Sequence, residues 1–285
     1  MLGSIFQLFG MSTDFYLCYS DKMTQIGSKP FANLSLPETL PQHMAAYAKL
    51  VGFIPANPMS CKVVELGCSR GGNLLPIAAF NPNCQCIGVD TVDAEVAEAN
   101  AHVKAAELNN VSFRSTDLKS FKEDNIDYLI CHGVYSWVDE ETRRSICRIA
   151  RECLSPQGLV YLSFDTNPGW HLKGLVRDIL QFGKGLYPKI DPSGSSPLGG
   201  AKKVIGWLEQ GFKAKSESPY TLSMLREFQI LASIDAPTIE KEYLEGNHNA
   251  FYLSDFIRTT TEAGLSFLGD MRSFIRNFRI LPPEV

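Results

Sequence analysis

From residue 62 to residue 182 the chain repeats one pattern: a short β-branched run, a turn, then apolar residues at helical spacing. Lys62-Val-Val-Glu-Leu66 predicts a first strand that ends in a glycine-containing loop, and residues 72–80 predict a helix stopped by Asn81-Pro82. Residues 84–90 predict a second strand, and the next helix carries Val96, Ala99, Val103 and Ala106 on one face. Residues 111–114 and 126–131 predict strands three and four. Asp139 is placed to cap the following helix, whose apolar face is Ile146, Ile149, Ala150 and Cys153. Pro156-Gln-Gly158 reads as a turn into a fifth strand at 159–164, and Leu172, Leu175, Val176 and Ile179 mark a fifth helix.

Strands separated by helices predict an α/β fold: a central, mostly parallel sheet with helices on both faces. In such sheets ligands bind beyond the carboxyl ends of the strands. Here those ends begin at Gly67, Asp90, Asp117, His132 and Asp165. Residues 183–199 are rich in Gly, Pro and Ser and read as a loop, followed by helices at about 200–211 and 219–233. Residues 239–244 and 265–269 predict two final strands around a helix at 254–263 that Gly264 ends. The segmentation is therefore 1–42 as an N-terminal extension, 43–182 as the core, 183–236 as a helical insert, and 237–285 as final strands, helix and tail.

The formal net charge of -4 disfavours a general nucleic-acid binder, which needs a basic face. Lys202, Lys203, Lys213 and Lys215, and Arg272, Arg276 and Arg279, read as solvated surface. The eight cysteines include no Cys-x-x-Cys pair. Several sit inside apolar runs, as reduced core residues of a cytoplasmic protein do, and no metal site is expected. No apolar run reaches the length of about 18 residues that suggests a membrane span. The apolar stretch 1–11 lacks a basic start and a cleavage site, so it reads as a poorly ordered or packed N-terminal extension and not as a signal peptide.

The strongest chemical signal is Glu65-Leu-Gly67-Cys68-Ser69-Arg-Gly71-Gly-Asn73. An acid ends the strand, glycines permit a sharp turn close to a ligand, and the next helix offers free N–H groups. The spacing acid-x-Gly-x-x-x-Gly-Gly differs from the dinucleotide fingerprint and disfavours a nicotinamide-dependent dehydrogenase. Asp90, 23 residues after Gly67, can accept hydrogen bonds from both ribose hydroxyls. Asp117, followed by Leu118, can meet the exocyclic amine of adenine or cap a helix. His132-Gly133 closes the fourth strand, and the glycine lets backbone approach a cofactor.

This order of acids and glycines resembles the class I S-adenosylmethionine-dependent methyltransferases. Glu65-Leu-Gly-Cys-x-x-Gly-Gly-Asn-Leu, His132-Gly-Val-Tyr-Ser-Trp-Val138 and Asn167-Pro-Gly-Trp-His171 are similar to one bacterial subfamily, whose members carry a methyltransferase regulatory domain. Glu242-Tyr-Leu-Glu and Phe251-Tyr-Leu-Ser-Asp-Phe extend the likeness, which runs from about residue 19 to 269. Its characterised members include protein-lysine methyltransferases acting on outer-membrane proteins. The resemblance implies a Rossmann-like fold, S-adenosylmethionine as cofactor, no metal, and a methyl acceptor that is a protein lysine. It implies that Glu65, Gly67, Cys68, Ser69, Gly71, Asn73, Asp90, Asp117, Leu118, His132 and Gly133 line the cofactor. Tyr135, Trp137 and Trp170, near the matching strand ends, would wall the acceptor pocket, residues 19–31 (with Tyr19) would cover the cofactor, and 183–236 would form a lid or substrate platform. Two departures stand out: Ser69 replaces a glycine usual in the relatives, and many relatives continue well beyond residue 285 into what would be a substrate-selecting domain. A cofactor-binding regulatory protein without turnover, or a small-molecule methyltransferase, remain the alternatives.

Overall fold

The computed structural model describes residues 7–9 (backbone), 35–187, 189, 196–214, 218–244 and 246–271. Tyr19, residues 19–31, Lys215, Arg272, Arg276 and Arg279 lie outside the described residues. The chain forms two compact units, the first from 7–9, 35–166 and 248–271, the second from 167–247.

The first unit is built on parallel strands β1 (Gln7–Phe9), β2 (Lys62–Leu66), β3 (Gln85–Asp90), β4 (Val111–Ser115), β5 (Ile126–Cys131), β6 (Leu154–Leu162) and β7 (Ser266–Gly269). The spatial order is β4-β3-β2-β5-β6-β1-β7. β2 runs in register with β3 from Lys62↔Gln85 to Leu66↔Val89 and with β5 from Val63↔Tyr128 to Glu65↔Ile130. Val63, Val64, Leu66, Tyr128, Leu129 and Ile130 are all fully buried, which explains why these strands read as unbroken apolar runs: both faces are covered. The chain leaves β2 outward through β3 and β4, then returns to place β5 on the other side of β2. That reversal makes the β2/β5 boundary the switch point.

Helix α1 (Pro41–Leu50) precedes β2; α2 (Leu74–Phe80), α3 (Asp93–Ala105) and α4 (Glu140–Cys153) follow β2, β3 and β5. Asp139 caps α4 by accepting from Thr142 N at 2.8 Å, and Ile146, Ile149, Ala150 and Cys153 are buried. The cap and the apolar face are those expected from spacing.

Two local expectations are corrected. Pro156-Gln-Gly158 does not end a turn before a new strand; β6 runs through it. The partner register jumps from Ile126↔Leu154 to Tyr128↔Leu159, so the extra residues form a bulge inside one strand. Residues 239–244 are not a strand. In the second unit Asp235 caps a helix (Ala236–Ile239) by accepting from Thr238 N, and the chain continues as a π-turn (Glu240–Leu244). Ile239, Tyr243 and Leu244 share one buried face, a helical spacing mistaken for β-propensity. The place beside β6 is taken instead by β1, which lies between β6 and β7.

The second unit also holds α5 (His171–Leu186), α6 (Pro197–Lys213) and α7 (Pro219–Ala232). Val176, Leu180, Ala201, Met224 and Phe228 lie in its apolar core. Polar groups of α5 satisfy carbonyls in and just after the π-turn: Arg177 donates to Glu242 O (2.6 Å) and Gly246 O (2.9 Å), Gln181 to Tyr243 O (2.7 Å) and Lys184 to Leu244 O (2.7 Å).

Candidate functional site

At the carboxyl end of β2 the chain turns sharply. Gly67 (φ +75°), Ser69 (φ +45°) and Gly71 (φ +80°) all occupy left-handed backbone. A Cβ at Gly67 would lie 2.3 Å from Val134 Cγ2, and one at Gly71 2.5 Å from Phe113 Cζ. Only glycine meets both demands at these two points. Ser69 takes the same region with its Cβ, at a cost of about 1–2 kcal/mol. Its amide is held in return: Ser69 N donates to Asp90 Oδ2 at 2.9 Å. Val92 N donates to Asp90 Oδ1 at 3.1 Å, while Gly67 N and Cys68 N donate to Val89 O at 2.8 and 3.1 Å. The glycine loop and Asp90 thus converge, and each carboxylate oxygen of Asp90 keeps lone-pair capacity for a further donor.

Glu65 is buried behind this loop. Its Oε1 accepts from Asn73 Nδ2 at 2.8 Å, and Asn73 Oδ1 accepts from Leu36 N (2.9 Å) and Thr39 Oγ1 (3.1 Å). Its Oε2 is buried with no hydrogen-bond partner among the described residues. Burial pushes the Glu65 carboxyl up to about 8, against the Asn73 bond, which lowers it, and with a further rise from the charge of Asp90. Burial likewise pushes the Cys68 thiol up, so it stands as a neutral packing group.

The other expected residues separate into two groups. Asp117 is exposed, and its Oδ1 accepts from Lys119 N at 2.9 Å, the geometry of a local cap; Leu118 is buried in the core. His132 is half-buried with its ring 6.2 Å from that of Tyr161. Gly133 has left-handed backbone, and its N donates to Ser163 Oγ at 2.7 Å, tying the loop after β5 to the end of β6. Tyr135 is packed in the core of the first unit. It is 3% exposed, with Phe251 and Phe256 ring centroids both at 5.4 Å, and burial raises its hydroxyl pKa. Trp137 stays half-exposed, its ring 4.6 Å from that of His248. Trp170 belongs to the second unit, where it is buried with Lys173 Nζ 4.3 Å above its ring.

Sequence reasoning missed two features. Arg70, inside the loop, pairs with Glu98 at 3.7 Å and buries Nε without a partner among the described residues. His248 Nε2 meets Asp165 Oδ2 at 3.0 Å across 83 positions of sequence. Among the described residues no group of three or more His, Cys, Asp or Glu could hold a metal ion, and no helix is long and apolar enough to cross a membrane.

Residues 63–158 match the family described as "Methyltransferase domain". Domain match and fold agree: residues 63–158 are similar to a methyltransferase domain, and the sheet has the Rossmann-like methyltransferase fold. Among individual proteins, it is 28% identical over 258 residues to the uncharacterized protein RP789 of Rickettsia prowazekii, covering 90% of this chain and 46% of that one. It is 25% identical over 230 residues to RP028 of the same organism, covering 80% of this chain and 90% of that one. The structure of PKMT2 from Rickettsia typhi in complex with AdoHcy superposes with a TM-score of 0.75 at 27% identity, covering 85% of this chain and 46% of PKMT2. The chain therefore spans less than half the length of RP789 and PKMT2.

Proposed function

We propose that the chain transfers a methyl group from S-adenosylmethionine to the side chain of a protein lysine. The observation that carries this reading is the convergence of the left-handed loop and the Asp90 carboxylate at one sheet edge, beside the β2/β5 switch point. The likeness to PKMT2, which binds AdoHcy, supports it over 85% of this chain.

The residues present fit the cofactor's chemistry. Asp90 has lone pairs for ribose hydroxyls. The buried Glu65 Oε2, which no described residue bonds, suits an ammonium group such as that of the methionine part. Arg70 offers a partly buried cation in the same loop. When bound, the cofactor supplies a methyl group on a sulfonium, an electrophile that a nucleophile attacks in line. The protein's task is then to hold the acceptor in that line, a contribution of about 7–11 kcal/mol in well-oriented systems. A lysine must also shed a proton, which costs about 4–5 kcal/mol at pH 7 from an ordinary pKa of about 10.4.

The test is incubation with cofactor labelled in the methyl group, together with a bacterial cell lysate, followed by mass spectrometry of labelled protein. Methylated lysine is the expected product. Cofactor that binds without being consumed would replace this reading with a regulatory one, and a labelled small molecule would replace the acceptor.

A further inference from the structure

Beyond the loop that holds the cofactor, the first unit gathers a second polar group at the same sheet edge. Asp165 lies just past the end of β6. Its backbone is fixed on both sides: Asp165 N donates to Ser136 Oγ at 2.8 Å, and Asp165 O accepts from Phe251 N at 2.9 Å. Its Oδ2 accepts from His248 Nε2 at 3.0 Å. His248 is itself held, since Asn249 N donates to Ser136 O at 2.8 Å and the Trp137 ring lies 4.6 Å from the imidazole. Burial is graded across the pair: the His248 side chain is 6% exposed and that of Asp165 is 25% exposed. The histidine is the buried brace and the carboxylate the outward member. Oδ1 of Asp165 accepts no hydrogen bond from any described residue.

Position gives this arrangement its meaning. β5 lies directly beside β2, and β6 one strand further, on the side away from β3 and Asp90. With strands about 4.8 Å apart, Asp165 sits roughly 10 Å across the sheet from the end of β2. The residues expected to line the cofactor lie at the ends of β2 to β5, so the β6 end is the one left for the acceptor. A rigid, partly exposed carboxylate beside an indole suits a cation: the carboxylate supplies charge and hydrogen-bond acceptors, and the ring face attracts an ammonium group. Such a site discriminates a lysine side chain from a neutral one of equal length.

We propose that Asp165, braced by His248 and flanked by Trp137, is the subsite that binds the cationic amine of the methyl acceptor. This rests on the reading of the chain as a lysine methyltransferase. Asp165 and Trp137 touch the amine; His248 is a positioning residue that orients the carboxylate.

The test titrates the protein, saturated with S-adenosylhomocysteine, with Nα-acetyl-lysine amide and separately with Nα-acetyl-norleucine amide, following ligand NMR signals. The lysine probe is expected to bind at least tenfold more tightly than the norleucine probe. Asp165→Asn should abolish that preference, His248→Gln should reduce it severalfold, and Trp137→Leu should reduce it independently of the carboxylate. Calorimetric affinity for S-adenosylmethionine should stay within twofold of wild type in all three variants, which a general loss of structure would not allow. Equal binding of the two probes to wild type overturns the proposal, as does an Asp165→Asn variant that keeps the preference. Should Asp165→Asn not fold, the wild-type comparison and Trp137→Leu still decide. Failure of the wider reading shows separately, as absent cofactor binding or absent methyl transfer.

Discussion

Replacing Glu65 by glutamine removes a buried carboxyl while keeping its shape and its acceptor for Asn73 Nδ2. In the folded protein this carboxyl titrates at about 8, against an ordinary value of 4.5, chiefly because burial disfavours its charged form. Below pH 4.5 both folded and unfolded chains hold the proton, and the group is neutral in each. Between 4.5 and about 8 the unfolded chain ionises while the folded chain keeps its proton, so stability falls as pH rises, by about 1.4 kcal/mol per pH unit. Above about 8 both states are ionised and the loss levels off. From about pH 5.5 to about pH 7.5 the wild-type protein should therefore lose on the order of 2–3 kcal/mol that the glutamine variant, with nothing to titrate, retains. The substituted side chain would leave its amide nitrogen where Oε2 now lacks a partner, a penalty that the protonated acid shares and that does not change with pH. Urea unfolding of both proteins across this range measures the difference directly. An advantage for the variant that grows with pH and then plateaus supports the assignment. A difference independent of pH, or one that shrinks as pH rises, refutes the burial argument.

Three further substitutions test the turn and the packing around it. Ser69→Gly removes a Cβ from left-handed backbone (φ +45°) and should raise stability by about 0.5–1 kcal/mol in chemical unfolding, with the amide contact to Asp90 kept. Gly67→Ala combines φ +75° with a Cβ 2.3 Å from Val134 Cγ2, and should destabilise by at least about 2 kcal/mol and weaken cofactor affinity. Asp139→Ala deletes the cap on α4 and should cost about 1 kcal/mol without altering cofactor affinity, which separates fold from site.

Much of the first unit was legible in sequence because its central strands are covered on both faces and α4 shows one apolar face. The run Ile126–Cys131 and the face Ile146, Ile149, Ala150 and Cys153 leave little freedom of interpretation. The loop from Glu65 to Asn73 was legible because positive φ forces glycine into view. Reading failed where long-range contacts decide. Tyr135 follows the right strand, yet its ring turns into a cluster with Phe251 and Phe256, residues more than a hundred positions away. Residues 239–244 carry strand-forming side chains, but Asp235 caps a helix and α5 supplies donors for the π-turn carbonyls. The pairing of Asp165 with His248 depends on the chain returning from the second unit to the sheet edge, and no local pattern announces that.

The central claim is that the turn after β2 and the Asp90 carboxylate hold one small molecule. Calorimetric titration of the wild-type protein and of Asp90→Ala with S-adenosylmethionine tests it most directly. Saturable binding to wild type is expected, with affinity at least tenfold weaker in the variant, a difference of about 1.4 kcal/mol or more. Equal affinity in the two proteins, or heat from a nicotinamide dinucleotide and none from S-adenosylmethionine, would contradict it.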